Sequence, residues 1–147
     1  MKDCVIVDID GTIAKVGDRL KYLQQEKKDW DSFYEHCDED EPINDIIELV
    51  VGLHNYGYRI VFCTGRRESV REKTEKWICK HLNISDYGLL MRKDKDFRHD
   101  SIIKPELLNE MNETPMNVLC ILEDRNSMVE KWRELGYTCL QVNEGDF

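Results

Sequence analysis

The stretch Val5-Ile6-Val7-Asp8-Ile9-Asp10-Gly11-Thr12, VIVDIDGT, decides how the chain is to be read. It opens on three β-branched residues, the composition of a strand buried inside a sheet. Two carboxylates one residue apart then lead into a glycine. Side chains alternate along an extended backbone, so Asp8 and Asp10 are expected to face the same way while Ile9 turns back into the protein. Gly11 permits a sharp turn after them. Like charges crowded at the end of a buried strand call for a cation.

The same alternation of apolar runs and punctuation continues outward. Strands are expected near residues 4–8, 58–63, 88–91, 118–122 and 139–142, with helices near 43–55, 70–82 and 126–135 between them. Gly57 and Gly136 stop two of those helices. Strand alternating with helix predicts a three-layer α/β fold with a mostly parallel sheet. One interval breaks the rhythm: residues 14–42 are longer than a connection needs, and they hold the helix-like run Asp29-Trp-Asp-Ser-Phe-Tyr-Glu-His-Cys37 and an acidic stretch. The expectation is one domain over residues 1–147, with a small cap-like insert at about 14–42 over the sheet edge.

Composition narrows the class. The 147 residues are 41% hydrophobic with three tryptophans, six tyrosines and four phenylalanines, which excludes a disordered chain. The apolar run after Met1 is too short for a signal peptide and no stretch reaches the length of a membrane span, so a cytoplasmic protein without membrane partners is expected. Six cysteines include no Cys-x-x-Cys pair, and Cys4, Cys63, Cys120 and Cys139 fall in strand-like runs, where buried free thiols are expected. The formal charge is −9, yet residues 66–104 carry eleven Lys/Arg against seven Asp/Glu. A locally basic face on an acidic chain fits a phosphate-bearing ligand.

Ligands of open α/β sheets sit beyond the carboxyl ends of the strands. The polar residues there are Asp8, Asp10 and Thr12; Thr64, Gly65 and Arg66; and Glu123, Asp124 and Arg125, with Lys104 at the start of a helix-like segment between the third and fourth strands. An all-oxygen set of few carboxylates, Asp8 and Asp10 joined by Glu123 or Asp124, suits Mg²⁺ better than Zn²⁺. Such an ion would keep Asp8 ionised as a nucleophile. Asp10, beside a negative neighbour, is expected to have a raised pKa and to act as general acid. Lys104 and Thr64 would meet the transferring phosphoryl oxygens. In the cluster Arg92, Lys93, Lys95 and Arg98, a track for backbone phosphates competes evenly with a solvated loop. Trp30, Phe33 and Tyr34 are expected to pack the insert onto the domain more than to stack a base, and Trp77 and Trp132 to lie in the core.

The motifs DIDGT, FCTGRRES, IIK and ILEDR, in this order, resemble the haloacid dehalogenase superfamily of Mg²⁺-dependent aspartyl phosphatases, with its Rossmann-like fold. Within it, Asp8–Thr12, Gly57–Arg66, Arg98-His-Asp-Ser-Ile-Ile-Lys104 and the tail from Glu123 to Phe147 are similar to the 3′-phosphatase domain of bacteriophage polynucleotide kinase/phosphatase. The resemblance covers nearly the whole chain and is weakest over 14–42. It implies Asp8 as nucleophile, Asp10 as acid/base, Thr64 and Lys104 as phosphate ligands, Asp124 as metal ligand, and Arg66 as a substrate contact; Gly65 beside it and Arg98 of the basic cluster are further candidate substrate contacts. It also implies nucleic acid 3′ ends, DNA or RNA, as substrate, with 2′,3′-cyclic ends included. The family usually has two aspartates where this chain has Glu123-Asp124, which leaves open which of the two touches the metal. No Gly-x-x-x-x-Gly-Lys-Ser/Thr occurs, so no fused kinase domain is expected. The alternatives are a phosphatase of small substrates, such as a nucleotidase, and a receiver-type phospho-acceptor module. The latter fits less well, because its aspartate ends the third strand.

Overall fold

The computed structural model describes residues 1–147. From the N-terminus the chain forms β1 (Cys4–Val7), β2 (Ala14–Lys15), α1 (Trp30–Glu35), β3 (Glu41–Pro42), α2 (Asn44–Tyr56), β4 (Arg59–Arg67), α3 (Arg71–Leu82), β5 (Tyr87–Arg92), α4 (Asp100–Glu110), β6 (Val118–Glu123), α5 (Asn126–Glu134) and β7 (Cys139–Gln141). Five strands make one parallel sheet in the order β5-β4-β1-β6-β7, while β2 and β3 pair antiparallel within the insert. The order reverses on either side of β1, so its carboxyl end is where a crevice opens in such sheets.

Alternation along β1 builds the layers. Val5 and Val7 join Ile60, Phe62 and Leu122 beneath residues of α2 and α3, including Ile47, Val50, Trp77 and Ile78. Cys4 and Ile6 join Val61, Cys63 and Ile121 beneath residues of α4 and α5, including Ile103, Leu107, Leu108, Met128, Val129 and Trp132. The three-layer α/β arrangement, the core tryptophans and the four buried thiols are as the sequence predicts. Cys37 is buried as well. No helix is long and apolar enough to cross a membrane.

Four local differences matter for the site. First, β1 ends at Val7 and Asp10 only bridges to Ala14 before Gly11 turns at φ +84°, so the alternation rule stops applying at Asp8. Second, β4 runs past Cys63 to Arg67: Thr64 pairs with Met91 and Arg67 with Arg92, leaving Gly65 and Arg66 as a bulge. Such bulges re-aim side chains, and here Arg66 points into the protein while Arg67 reaches the rim. Third, α4 starts at Asp100, a turn before Lys104, with the His99 side chain accepting from the Ser101 amide as its cap and Pro105 tolerated inside. Fourth, the insert covers the end of β4 and α3 as well as the sheet edge, where Cys37 packs with Met91 of the edge strand β5. Tyr34 donates to the Gly65 carbonyl (3.2 Å), Trp77 to the Asp40 carbonyl (2.8 Å) and Lys73 to Glu35 (2.6 Å).

Candidate active site

Register brings the strand ends together. Val7 is level with Phe62 on one side and Leu122 on the other, and the Asp8 amide donates to the Leu122 carbonyl (3.0 Å). Asp8, Thr64, Glu123 and Asp124 therefore emerge from three adjacent strands at one end of the sheet. All four are buried, and so is Lys104, carried there by the face of α4 that also presents Ile103, Leu107 and Leu108 to the core.

Oxygens of Asp8, Glu123 and Asp124 lie within 4.8 Å of one another. Lys104 Nζ donates to Asp8 Oδ1 (2.8 Å) and Glu123 Oε2 (3.1 Å), and Thr12 donates to Asp8 Oδ2 (3.0 Å). Three carboxylates against one ammonium leave an excess of negative charge, and the acids respond. Burial raises the Asp8 carboxyl, Glu123 adds to that and Lys104 opposes it, leaving Asp8 pushed up to about 8. Burial and the neighbouring Asp8 push Asp124 up to about 7. Burial works against the charge on Lys104, yet Asp8 and Glu123 outweigh it and hold the ammonium well above its ordinary value. This is a buried all-oxygen pocket short of positive charge, the donor chemistry of a hard divalent cation. Gly11 belongs to its wall, since a Cβ there would overlap the Asp124 carboxylate.

Asp10 departs from the sequence reading. Its carboxylate lies outside the acid cluster and shares no hydrogen-bond partner with Asp8. Oδ1 takes three bonds, from Arg19 Nη2 (2.7 Å), Arg66 Nη2 (2.7 Å) and Arg66 Nε (3.1 Å), while Oδ2 takes none. Burial would raise this carboxyl, but the two guanidiniums overcome it and hold Asp10 at about 2. The expected raised pKa is thus reversed, because the partners of Asp10 are arginines and not Asp8. Its side chain keeps 26% of its surface exposed, and its hydrogen bonds leave Oδ2 without a partner.

Other expected contacts are also placed differently. Arg66 is wholly buried, held by Asp10, by Thr74 (3.2 Å) and by Asp40 (3.5 Å), and is not presented to an incoming substrate. The Gly65 carbonyl is taken by Tyr34 and by Arg92 Nε (2.8 Å), and a Cβ at Gly65 would come within 2.6 Å of Asp100. Arg98 is exposed, and its guanidinium is paired with Asp96 (2.8 Å) and Glu106 (2.7 Å) and with none of the acids at the strand ends. Thr64 is not a helix cap; its hydroxyl accepts from the Arg66 amide inside the bulge (3.1 Å).

Sequence reasoning missed Arg19, Asp40 and Asp100, and it read Arg92 only as part of a basic cluster, whereas its guanidinium is buried and tied to the Gly65, Asp96 and Arg98 carbonyls. Arg19 bridges Asp10 to Asp40 (Nε to Oδ1, 2.8 Å; Nη2 to Oδ2, 2.7 Å) and lies over the Phe33 ring at 4.2 Å. Asp100 pairs with Arg92 and with Arg125 (3.3 Å). Only Asp100 carried a signal, as part of the Arg98–Lys104 motif.

The family described as the polynucleotide kinase PNKP phosphatase domain matches residues 2–147. The chain belongs to this family. This phosphatase domain is 34% identical to a chain of the Pnkp1/Rnl/Hen1 RNA repair complex, with a TM-score of 0.85, covering 100% of this chain and 44% of that one. It is 33% identical over 132 residues to a protein of Autographa californica nuclear polyhedrosis virus assigned as a bifunctional polynucleotide kinase/RNA ligase, covering 89% of this chain and 18% of that protein. The chain thus spans less than half the length of these two relatives. A haloacid dehalogenase-like hydrolase from Streptococcus pneumoniae shares the fold at 13% identity, with a TM-score of 0.64 over 95% of this chain and 84% of that one.

Proposed function

We propose that residues 1–147, with the insert at 14–42, form a Mg²⁺-dependent polynucleotide 3′-phosphatase unit. The observation that carries this is the buried cluster of Asp8, Glu123, Asp124 and Lys104 in a chain of the polynucleotide kinase phosphatase family. Asp8 attacks the phosphorus of the 3′-phosphate, a phosphorus–oxygen bond to Asp8 forms and the bond to the 3′-oxygen breaks. Lys104 and Thr64 face the phosphoryl oxygens. Asp10, anchored through Oδ1, uses its free Oδ2 for proton transfer. It rests ionised, so it relays to the leaving oxygen the proton that a monoanionic phosphate ester brings, and then takes a proton from the water that releases phosphate. Arg19 and Arg66 position it.

Asp8 and Asp124 are the side chains that would hold Mg²⁺. Glu123 is engaged by Lys104 and, through Oε1, by the Asp124 amide (3.2 Å), which suits it to orient the lysine. When bound, the ion neutralises the phosphate oxygens and keeps Asp8 ionised. A pH dependence follows. The fold raises the carboxyls of Asp8 to about 8 and Asp124 to about 7, above the ordinary value near 4, so their contribution to stability is fully present below about pH 4 and is lost as pH rises through 7 to 8. The metal-free protein is expected to melt lower at pH 8 than at pH 5. Adding Mg²⁺ should raise the melting midpoint strongly at pH 8 and little at pH 5, where the ion must displace protons. An equal shift at both pH values would contradict the assignment.

Oligonucleotides carrying a 3′-phosphate, a 5′-phosphate or a 2′,3′-cyclic phosphate, in DNA and RNA, tested beside free nucleotides with and without Mg²⁺, check the substrate class. Phosphate release from 3′-phosphate ends that requires Mg²⁺ is expected, and the likeness to a chain of an RNA repair complex supports RNA ends among the substrates. Release from free nucleotides but from no oligonucleotide end would contradict it.

A further inference from the structure

Four planar groups stand in a row along the rim above the end of β4. The Trp30 ring stacks on Tyr34 (6.0 Å, 26° between planes), the Arg67 guanidinium lies 4.9 Å from the Tyr34 ring, and 5.9 Å from the same guanidinium is the Phe97 ring. They come from separate elements: the insert helix α1, the residue after the β4 bulge, and the loop between β5 and α4. The last member is the unusual one. Phe97 is 79% exposed, in a loop that is otherwise charged from Arg92 to Arg98. A phenylalanine left in water adds nothing to the fold's apolar burial, so packing does not explain it.

Hydrogen bonds hold the backbone on both sides of Phe97. Arg92 Nη1 donates to the carbonyls on both sides of it, Asp96 (2.9 Å) and Arg98 (2.6 Å), and the Arg98 amide donates to Asp96 Oδ1 (3.2 Å). The same Arg92 binds the Gly65 carbonyl next to Thr64 and pairs with Asp100. A single buried guanidinium therefore ties the presented ring to the strand end that lines the candidate active site. Lys93 and Lys95 are exposed on the same loop; Lys93 lies 4.0 Å from Glu110 and Lys95 makes no ion pair, which leaves Lys95 to supply positive charge for a polyanion.

We propose that Phe97, at the end of the Trp30-Tyr34-Arg67 row, is the stacking platform for the 3′-terminal nucleobase of the substrate. The proposal rests on the polynucleotide reading above and adds to it the residue that recognises the nucleoside. Stacking on an aromatic face with a cation alongside is tolerant of base identity, as an end-processing enzyme requires. Loss of one such contact weakens binding by about tenfold or more.

The test compares kcat/KM on two oligonucleotides ending in a 3′-phosphate, one complete and one lacking only its terminal base. The wild-type protein should favour the complete end by about tenfold. Phe97→Ala should bring that ratio close to one by raising KM for the complete end, and Phe97→Trp should keep it. A wild-type protein indifferent to the terminal base, or a ratio unchanged by Phe97→Ala, would overturn the platform while leaving the polynucleotide reading standing. Inactivity on both oligonucleotides would remove that reading, and the platform with it.

Discussion

Asp8→Asn is expected to abolish phosphate release, by roughly 10⁴-fold or more, without lowering the melting midpoint of the metal-free protein. The activity half follows from the reaction, because an amide offers no anionic oxygen to phosphorus and no other carboxylate is held by both Lys104 and Thr12. The stability half follows from the electrostatics. Asp8 is buried beside Glu123 and Asp124 and is pushed up to about 8, so a neutral isostere removes repulsion that Lys104 only partly offsets. Steady-state phosphate release and thermal melting of the same preparation check the two halves together. A melting midpoint several degrees lower would mean that Asp8 is chiefly a structural partner of Lys104, and residual turnover near the wild-type rate would remove its nucleophilic role.

Arg66→Met is expected to lower stability by about 3 kcal/mol, toward the lower end for breaking a buried ion pair because Asp10 keeps partial access to solvent. For a chain of this size that is a fall of roughly 10 °C in the melting midpoint. The guanidinium is wholly buried and holds Asp10, Thr74 and Asp40 at once, so a methionine of similar length fills the space and strands the acids. Turnover should fall as well, since Asp10 loses two of the three bonds that fix Oδ1. Lys at this position would retain a charge but not the fork that grips Asp10 through two nitrogens. A variant that melts like the wild type would show that Arg19 alone balances Asp10 and Asp40.

The layers of the fold were legible because periodicity records burial: β1, β4 and β6 are apolar runs, and α2, α3 and α5 carry apolar stripes, two of which Gly57 and Gly136 stop. The acid cluster was legible for a related reason. Asp8, Glu123 and Asp124 follow strands directly, so placing the strands in register places the carboxylates. What escaped lay between elements. Arg19 sits in the insert, where no periodicity marks it, and reaches Asp40 across 21 residues and Asp10 across nine. Without it, Asp10 read as an acid among acids and its pKa was expected to rise, whereas two arginines hold it at about 2. The bulge at Gly65 and Arg66 was hidden likewise, since pairing Arg67 with Arg92 is a property of two strands and not of one segment. Lys104 was placed at a helix start because Pro105 follows it; the actual start is set by the His99 cap one turn earlier.

The central claim is that Asp8 takes up the phosphoryl group of a polynucleotide 3′ end. Mixing the protein with Mg²⁺ and an excess of a 3′-phosphorylated oligonucleotide, quenching in acid during turnover, and reducing with borohydride converts an aspartyl-phosphate to homoserine, which peptide mass spectrometry locates. Homoserine at position 8, dependent on the 3′-phosphate, is the result predicted. Steady phosphate release with Asp8 unmodified, or with the reduced residue at another position, would contradict it.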